Sequence, residues 1–132
     1  MARPRSRFPT ELELDILKTI WRSGPATVRQ VRESLEPQRS LAHTSVMTVM
    51  NIMVDKGYLR RRKARQGAGY VYQARVTERV TCRRMLRDLV TRAFDGSTLA
   101  MVQRLLDVEA LDADELSSLR KLIDRKMKET ES

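Results

Sequence analysis

Leu12, Ile16, Leu17 and Ile20 recur at helical spacing near the start of the chain, and Trp21 widens that apolar face. Thr10-Glu11-Leu12-Glu13 in front of them has the form of a capping box, with Thr10 as N-cap and Glu13 reaching back to it. Gly24-Pro25 ends this first helix sharply. Thr27 caps a short second helix from Val28 to about Leu35, and Glu36 to Ser40, centred on Pro37, is a connector. A third helix runs from Leu41 or Ala42 to Lys56 and stops at Gly57, a residue suited to a left-handed cap. Val46, Val49, Met50 and Met53 share one face of it, whereas Thr44, Ser45, Thr48, Asn51 and Asp55 fall largely on the other.

The period then changes. Tyr58 to Lys63 reads as a strand, Arg65 to Gly69 as a glycine-rich turn, and Tyr70-Val71-Tyr72 as the returning strand of a basic hairpin. Three helices followed by a two-stranded hairpin within about 70 residues is the layout of a winged helix-turn-helix. Beyond it the pattern is helical again: Thr77 caps a helix from Glu78 to Phe94, Asp95-Gly96 ends it, and Leu99 to Leu106 mark a short helix. Asp112-Ala113-Asp114-Glu115 is a second capping box, opening a last helix from about Ala113 to Lys128. The expected fold is therefore mainly α with a small β-hairpin. Residues 1–8 form a flexible basic arm, 9–75 a winged helix-turn-helix domain, and 76–132 a helical dimerisation region.

The dimerisation assignment rests on burial. The C-terminal helices amount to about 55 residues, too few to build an adequate core alone. Each carries an apolar face: Met85, Leu86, Leu89, Val90 and Phe94 on the first, Leu99, Val102, Leu105 and Leu106 on the second, Leu116, Leu119 and Ile123 on the third. Pairing with the same piece of a second chain buries them; folding back on the chain's own N-terminal domain is the alternative.

Charge separates the two parts. Residues 1–75 hold 15 Lys and Arg against 6 Asp and Glu, while residues 76–132 hold 11 of each. The net +9 of the 132-residue chain therefore belongs entirely to the winged-helix part, and a dimer would bring about +18 to one duplex. Such segregation points to a polyanion-binding module, since a basic balance serving only solubility need not segregate. No apolar run approaches the roughly 18 residues of a membrane span and no signal-peptide pattern opens the chain, so the expectation is a cytoplasmic protein without membrane insertion. One cysteine excludes an intramolecular disulfide and Cys-rich metal clusters, and one histidine removes most triads. No set of residues offers a nucleophile, a base and an orienting group together, so neither an enzyme, a metal nor a cofactor is expected.

In a helix-turn-helix the N-terminal residues of the second motif helix meet base edges in the major groove. Here these are Ala42, His43, Thr44, Ser45 and Thr48, and no Arg or Lys lies between Leu41 and Asp55. Guanine-reading side chains are thus absent, and the pattern favours thymine methyls and A·T-containing steps. Phosphate contacts fall to Thr27 and Arg29 at the second helix, to Arg39 and Lys56 flanking the third, and to the wing, where strand alternation selects Arg61 and Lys63 beside Arg65, Gln66 and Gly67 at the turn. His43 has no nearby ligand and reads as a surface residue meeting DNA. Cys82 reads as a small core hydrophobe, Met47, Met50 and Met53 as core packing, and Asp112, Asp114 and Glu115 as capping and dipole complementarity.

These residues also carry a resemblance. Thr10 to Leu17 with Trp21, Ala26 to Val31, Leu41 to Met50 followed by Lys56-Gly57, and Tyr70-Val71-Tyr72 resemble the penicillinase-repressor (BlaI/MecI type) family over about residues 8 to 125. The resemblance implies a bacterial homodimeric repressor of a dyad-symmetric operator near a promoter, with C-terminal helices intertwined with the partner's. It maps DNA contacts onto Thr44, Ser45 and Thr48 and onto the wing at 65–69. The chain also departs from the family pattern. His43 stands where tyrosine is frequent, and Ile52 where arginine is common. The Asn-Phe pair cleaved in the β-lactam branch corresponds to Arg104-Leu105, which leaves a sensor-protease partner open. The paired Cys-x-Cys motifs of the copper-responsive branch are absent, Cys82 being the one cysteine. A repressor is the function expected; an architectural or protein-interaction winged helix without its own operator is the rival.

Overall fold

Both halves of the first capping box form. At the start of α1 (Glu11–Ser23) the Glu13 N–H donates to Thr10 Oγ1 at 3.2 Å and the Thr10 N–H to Glu13 Oε1 at 2.8 Å. The computed structural model describes residues 8–67 and 69–131, so the basic arm other than Phe8 lies outside the described residues. Thr27 and Gln30 exchange the same two bonds, at 3.2 and 2.9 Å, to open α2 (Val28–Leu35).

The third helix, α3 (His43–Lys56), begins just after the Leu41 or Ala42 start expected from its pattern. Ala42 is extended and serves as the N-cap without a side-chain bond. The turn before it is fastened instead by Arg32, whose Nε donates to the Leu41 carbonyl at 2.9 Å. At its other end Gly57 takes φ +86, and the N–H groups of Gly57 and Tyr58 donate to Val54 O at 3.1 Å and Met53 O at 2.9 Å. A Cβ at position 57 would meet no atom within 4 Å, so the cost of a side chain there is conformational. Gly57→Ala should therefore destabilise the domain by about 1–2 kcal/mol, read from the denaturant midpoint; an unchanged midpoint would show that the helix end does not depend on this cap.

Because the Tyr58 N–H closes the helix, the strand begins one residue later than expected. β1 (Leu59–Lys63) pairs antiparallel with β2 (Tyr70–Ala74), aligning Leu59 with Ala74, Arg61 with Tyr72 and Lys63 with Tyr70. An isolated bridge joins the hairpin to a residue outside the two strands: Ala26 N–H to Tyr72 O at 3.0 Å and Tyr72 N–H to Ala26 O at 2.8 Å. It holds the hairpin against the α1–α2 connection.

The core gathers Ile16 and Leu17 of α1, Val31 of α2, Val46, Met50 and Met53 of α3, Leu59 and Tyr72, all essentially without exposure. Burying each such side chain contributes about 1.5–3 kcal/mol, so α3 is seated by one face and presents the other. Met47 departs from the expected core assignment, since it is 38% exposed while Met50 and Met53 are 0%. It lies one turn from Thr44 on the outer side of α3, about 100° around the helix from the buried Val46 that precedes it.

Three more helices follow: α4 (Glu78–Ala93), α5 (Thr98–Val108) and α6 (Ala113–Glu131). Their caps form at Thr77, Ser97 and Asp112, which accept from Val80, Ala100 and Glu115 N–H groups at 3.2, 3.0 and 2.8 Å. The chain divides into two compact units whose boundary falls between Leu86 and Arg87, inside α4. In the first unit Trp21 Nε1 donates to the Val76 carbonyl at 2.9 Å, and Thr81 is the buried residue of α4. Cys82, expected in the core, is exposed instead. It stands about 100° around the helix from Thr81, so burying one turns the other away. In the second unit α5 and α6 bury none of their residues. Among the described residues no helix is long and apolar enough to cross a membrane.

Candidate nucleic-acid interface

The outer surface of α3 is short, polar and uncharged at its N-terminal end. Ala42, His43, Thr44, Ser45 and Thr48 are all exposed. Thr48 Oγ1 donates to the Thr44 carbonyl at 2.9 Å, which uses the hydroxyl proton and leaves the methyl group and oxygen lone pairs for a ligand. Met47 and Ile52, 38% and 43% exposed, flank this strip and make it more apolar than the sequence pattern indicated.

Beside α3 stands the hairpin. Strand alternation puts Leu59, Arg61 and Lys63 on one face together with Tyr70 and Tyr72, and Arg60 and Arg62 on the other. The Arg61 Nη1 donates to Asn51 Oδ1 at 2.6 Å, the Tyr72 hydroxyl donates to the same oxygen at 2.8 Å, and the guanidinium lies 4.6 Å from the centre of the Tyr70 ring. At the tip, Arg65, Gln66 and Gly67 are exposed in a turn closed by the Ala64 N–H to Gly69 carbonyl bond at 3.1 Å. Gly67 and Gly69 both have left-handed backbone, φ +81 and +101, which brings the chain around tightly.

The remaining cations are engaged to different degrees. Arg29 meets Glu33 one helical turn on, at 3.1 Å, with a side chain 81% exposed. Such a surface pair is worth little and gives way readily to a phosphate. Thr27 uses its hydroxyl and N–H in its own cap. Arg39 is held by Asp15 at 3.1 Å and reaches Glu11 at 3.4 Å. Lys56 is turned inward, its Nζ at 3.0 and 3.1 Å from the two carboxylate oxygens of Glu13, a residue only 2% exposed. Next to it, burial raises the Tyr58 hydroxyl pKa, the Glu13 carboxylate raises it further, and the Arg84 guanidinium partly opposes both. Arg39 thus ties α1 to the α2–α3 connection and Lys56 ties it to the end of α3, roles that flanking position alone did not reveal. Arg104 and Leu105 lie in α5, both exposed.

Sequence reasoning also missed Asn51 as a partner of the wing. It appeared as one more polar residue on the outer face of α3, and the residues that engage it lie 10 and 21 positions further on.

A helix-turn-helix seated by one buried face, followed by a basic two-stranded hairpin, defines a winged-helix protein of the DNA-binding class. Residues 9–125 match the family model described as Penicillinase repressor, and the chain belongs to that family. It is similar to the transcriptional regulator BlaI of Mycobacterium tuberculosis, with 32% identity over 115 residues that cover 86% of this chain and 80% of that one. It is similar also to the penicillinase repressor of Bacillus licheniformis, 21% identical over 115 residues covering 87% and 88% of the two chains. Among solved structures, the monomeric form of Bacillus licheniformis BlaI in complex with the blaP half-operator aligns with a TM-score of 0.45 and 23% identity, covering 57% of this chain and 85% of that chain.

Proposed function

We propose that this chain is a bacterial transcriptional repressor that binds a dyad-symmetric operator as a homodimer and occludes a promoter, in the cytoplasm. The observation that carries this reading is the juxtaposition of the exposed, uncharged N-terminal half of α3 with a wing bearing Arg61, Lys63 and Arg65. Thr44, Ser45 and Thr48 choose the sequence through thymine methyls and hydroxyl contacts, with Met47 adding apolar surface beside them. Arg65 at the wing tip, Lys63 and Arg29 supply phosphate contacts, and these set register and affinity without reading bases. Arg39 and Lys56 contribute through the domain's internal geometry.

The homodimer follows from what α5 and α6 leave exposed. Helices of 11 and 19 residues in which no residue is fully buried lack much of the tertiary packing from which most helical stability comes. Leu99 is 69% exposed, Ile123 55% and Leu119 38%. Residues 9–75 are the proposed DNA-reading part and 76–132 the pairing part.

Salt dependence tests the proposal. With an operator selected from random duplex DNA, log K should fall linearly with log salt at about 0.9 per phosphate neutralised. A flat plot, or a selection that returns no preferred sequence, would falsify the repressor.

A further inference from the structure

The structure assigns Asn51 as a positioning residue that locks the wing to α3 and holds the Arg61 guanidinium ready for a DNA phosphate. The inference rests on the DNA-binding function proposed above and deepens it.

The amide oxygen of Asn51 is a double acceptor. Arginine carries only donors, so its 2.6 Å contact requires an oxygen on the Asn51 side, and the Tyr72 hydroxyl at 2.8 Å completes the pair. Tyr72 is 1% exposed and is bridged through its backbone to Ala26 as well as paired with Arg61, so it is among the most constrained residues of the domain. One asparagine on the recognition helix therefore meets both strands of the wing: Arg61 on β1 and Tyr72 on β2. Arg61 remains exposed although it is held on two sides, by Asn51 and by the Tyr70 ring 4.6 Å away. A guanidinium has five N–H donors, and a single bond to Asn51 leaves the others available.

Exposed arginines normally lose side-chain freedom when they take a phosphate. Here that ordering is already done, by groups that also fix the wing's angle to the helix that reads bases. Among the wing cations Arg61 is the one with this support; Arg65 at the tip has no such bond among the described residues. A loose arginine would contribute charge. A held one contributes charge at one place relative to Thr44 and Thr48, so it couples phosphate register to base register.

The test is a double-mutant cycle with Asn51→Ala and Arg61→Ala in the full-length dimer, read by anisotropy on a labelled operator selected by the wild-type protein, across a salt series. Each single variant should bind about tenfold more weakly. Arg61→Ala, which removes the charge, should lower the salt slope by about 0.9 per half-site, and Asn51→Ala, which leaves the arginine present but loose, by a smaller amount. The double variant should be no more than about twofold weaker than either single one. Tyr70→Leu, which removes the ring under Arg61 at an exposed position, should shift affinity and slope the same way and keeps the test decisive if Asn51→Ala folds poorly. Tyr72→Phe should lower thermal stability and leave the slope unchanged, because it spares the Asn51–Arg61 bond. If Asn51→Ala lowers stability alone, with slope unchanged and its effect on affinity adding to that of Arg61→Ala, the positioning role is overturned while the repressor stands. If the wild-type protein binds no duplex at all, the repressor falls and the inference with it.

Discussion

Lys56→Met should unfold the winged helix far below the wild-type midpoint. Glu13 is 2% exposed and accepts three bonds: the Thr10 N–H at 2.8 Å and the Lys56 ammonium at 3.1 and 3.0 Å. Removing the lysine leaves a carboxylate out of water with a single backbone donor, and breaking a buried pair in this way costs about 3–5 kcal/mol. For a domain of this size that corresponds to a fall in Tm of roughly 12 °C or more. Glu13→Leu combined with Lys56→Met should recover much of the loss, because no unpaired charge then remains. Calorimetry of the three proteins checks this; a single variant within a few degrees of wild type would mean that the pair holds nothing. The same protein separates two roles for Lys56. Below its midpoint, Lys56→Met should keep the wild-type salt slope on DNA, whereas a lysine that touched phosphate would take about 0.9 from it.

The second large effect is expected in the C-terminal region. Leu119 and Ile123 lie one turn apart on α6, and both are exposed within the chain. Leu119→Asp with Ile123→Asp should convert a dimer into a monomer by equilibrium sedimentation at micromolar concentration, since two carboxylates would have to enter the paired apolar faces. The winged helix, whose core contains neither residue, should keep its thermal transition. Operator affinity should fall by about 10²- to 10⁴-fold, the advantage of linking two binding modules, and the salt slope should fall to roughly half as one wing and one recognition helix are lost. A wild-type protein that sediments as a well-folded monomer, or a charged variant that still binds as a dimer, sinks the assembly.

Much of the winged helix was legible in advance because its signals are local. The capping boxes at Thr10 and Thr27 involve residues three positions apart, and the glycine at 57 answers a backbone need at one position. The apolar steps of α1 and α3 follow the 3.6-residue period, and Tyr70 to Tyr72 that of a strand. The expected polar strip at Thr44, Ser45 and Thr48 emerged exposed for the same reason: residues opposite a buried face must point out. Where local pattern was ambiguous it erred. Met47 and Cys82 are apolar and correctly spaced for a stripe, yet only packing decides which of two adjacent stripes is covered.

The sequence by itself determined the order of elements, the segregation of positive charge into residues 1–75, the cap chemistry and the polarity of the recognition face. Each depends on neighbours within a few residues or on composition, and these are fixed before the chain folds. Only the tertiary structure decided which cations remain available. Lys56 turned to Glu13 across 43 positions, Arg39 to Asp15 across 24, and Arg61 to Asn51 across 10. Charge is a property of a side chain, but its partner is chosen by distance in space, and that distance exists only after the helices and the hairpin have packed.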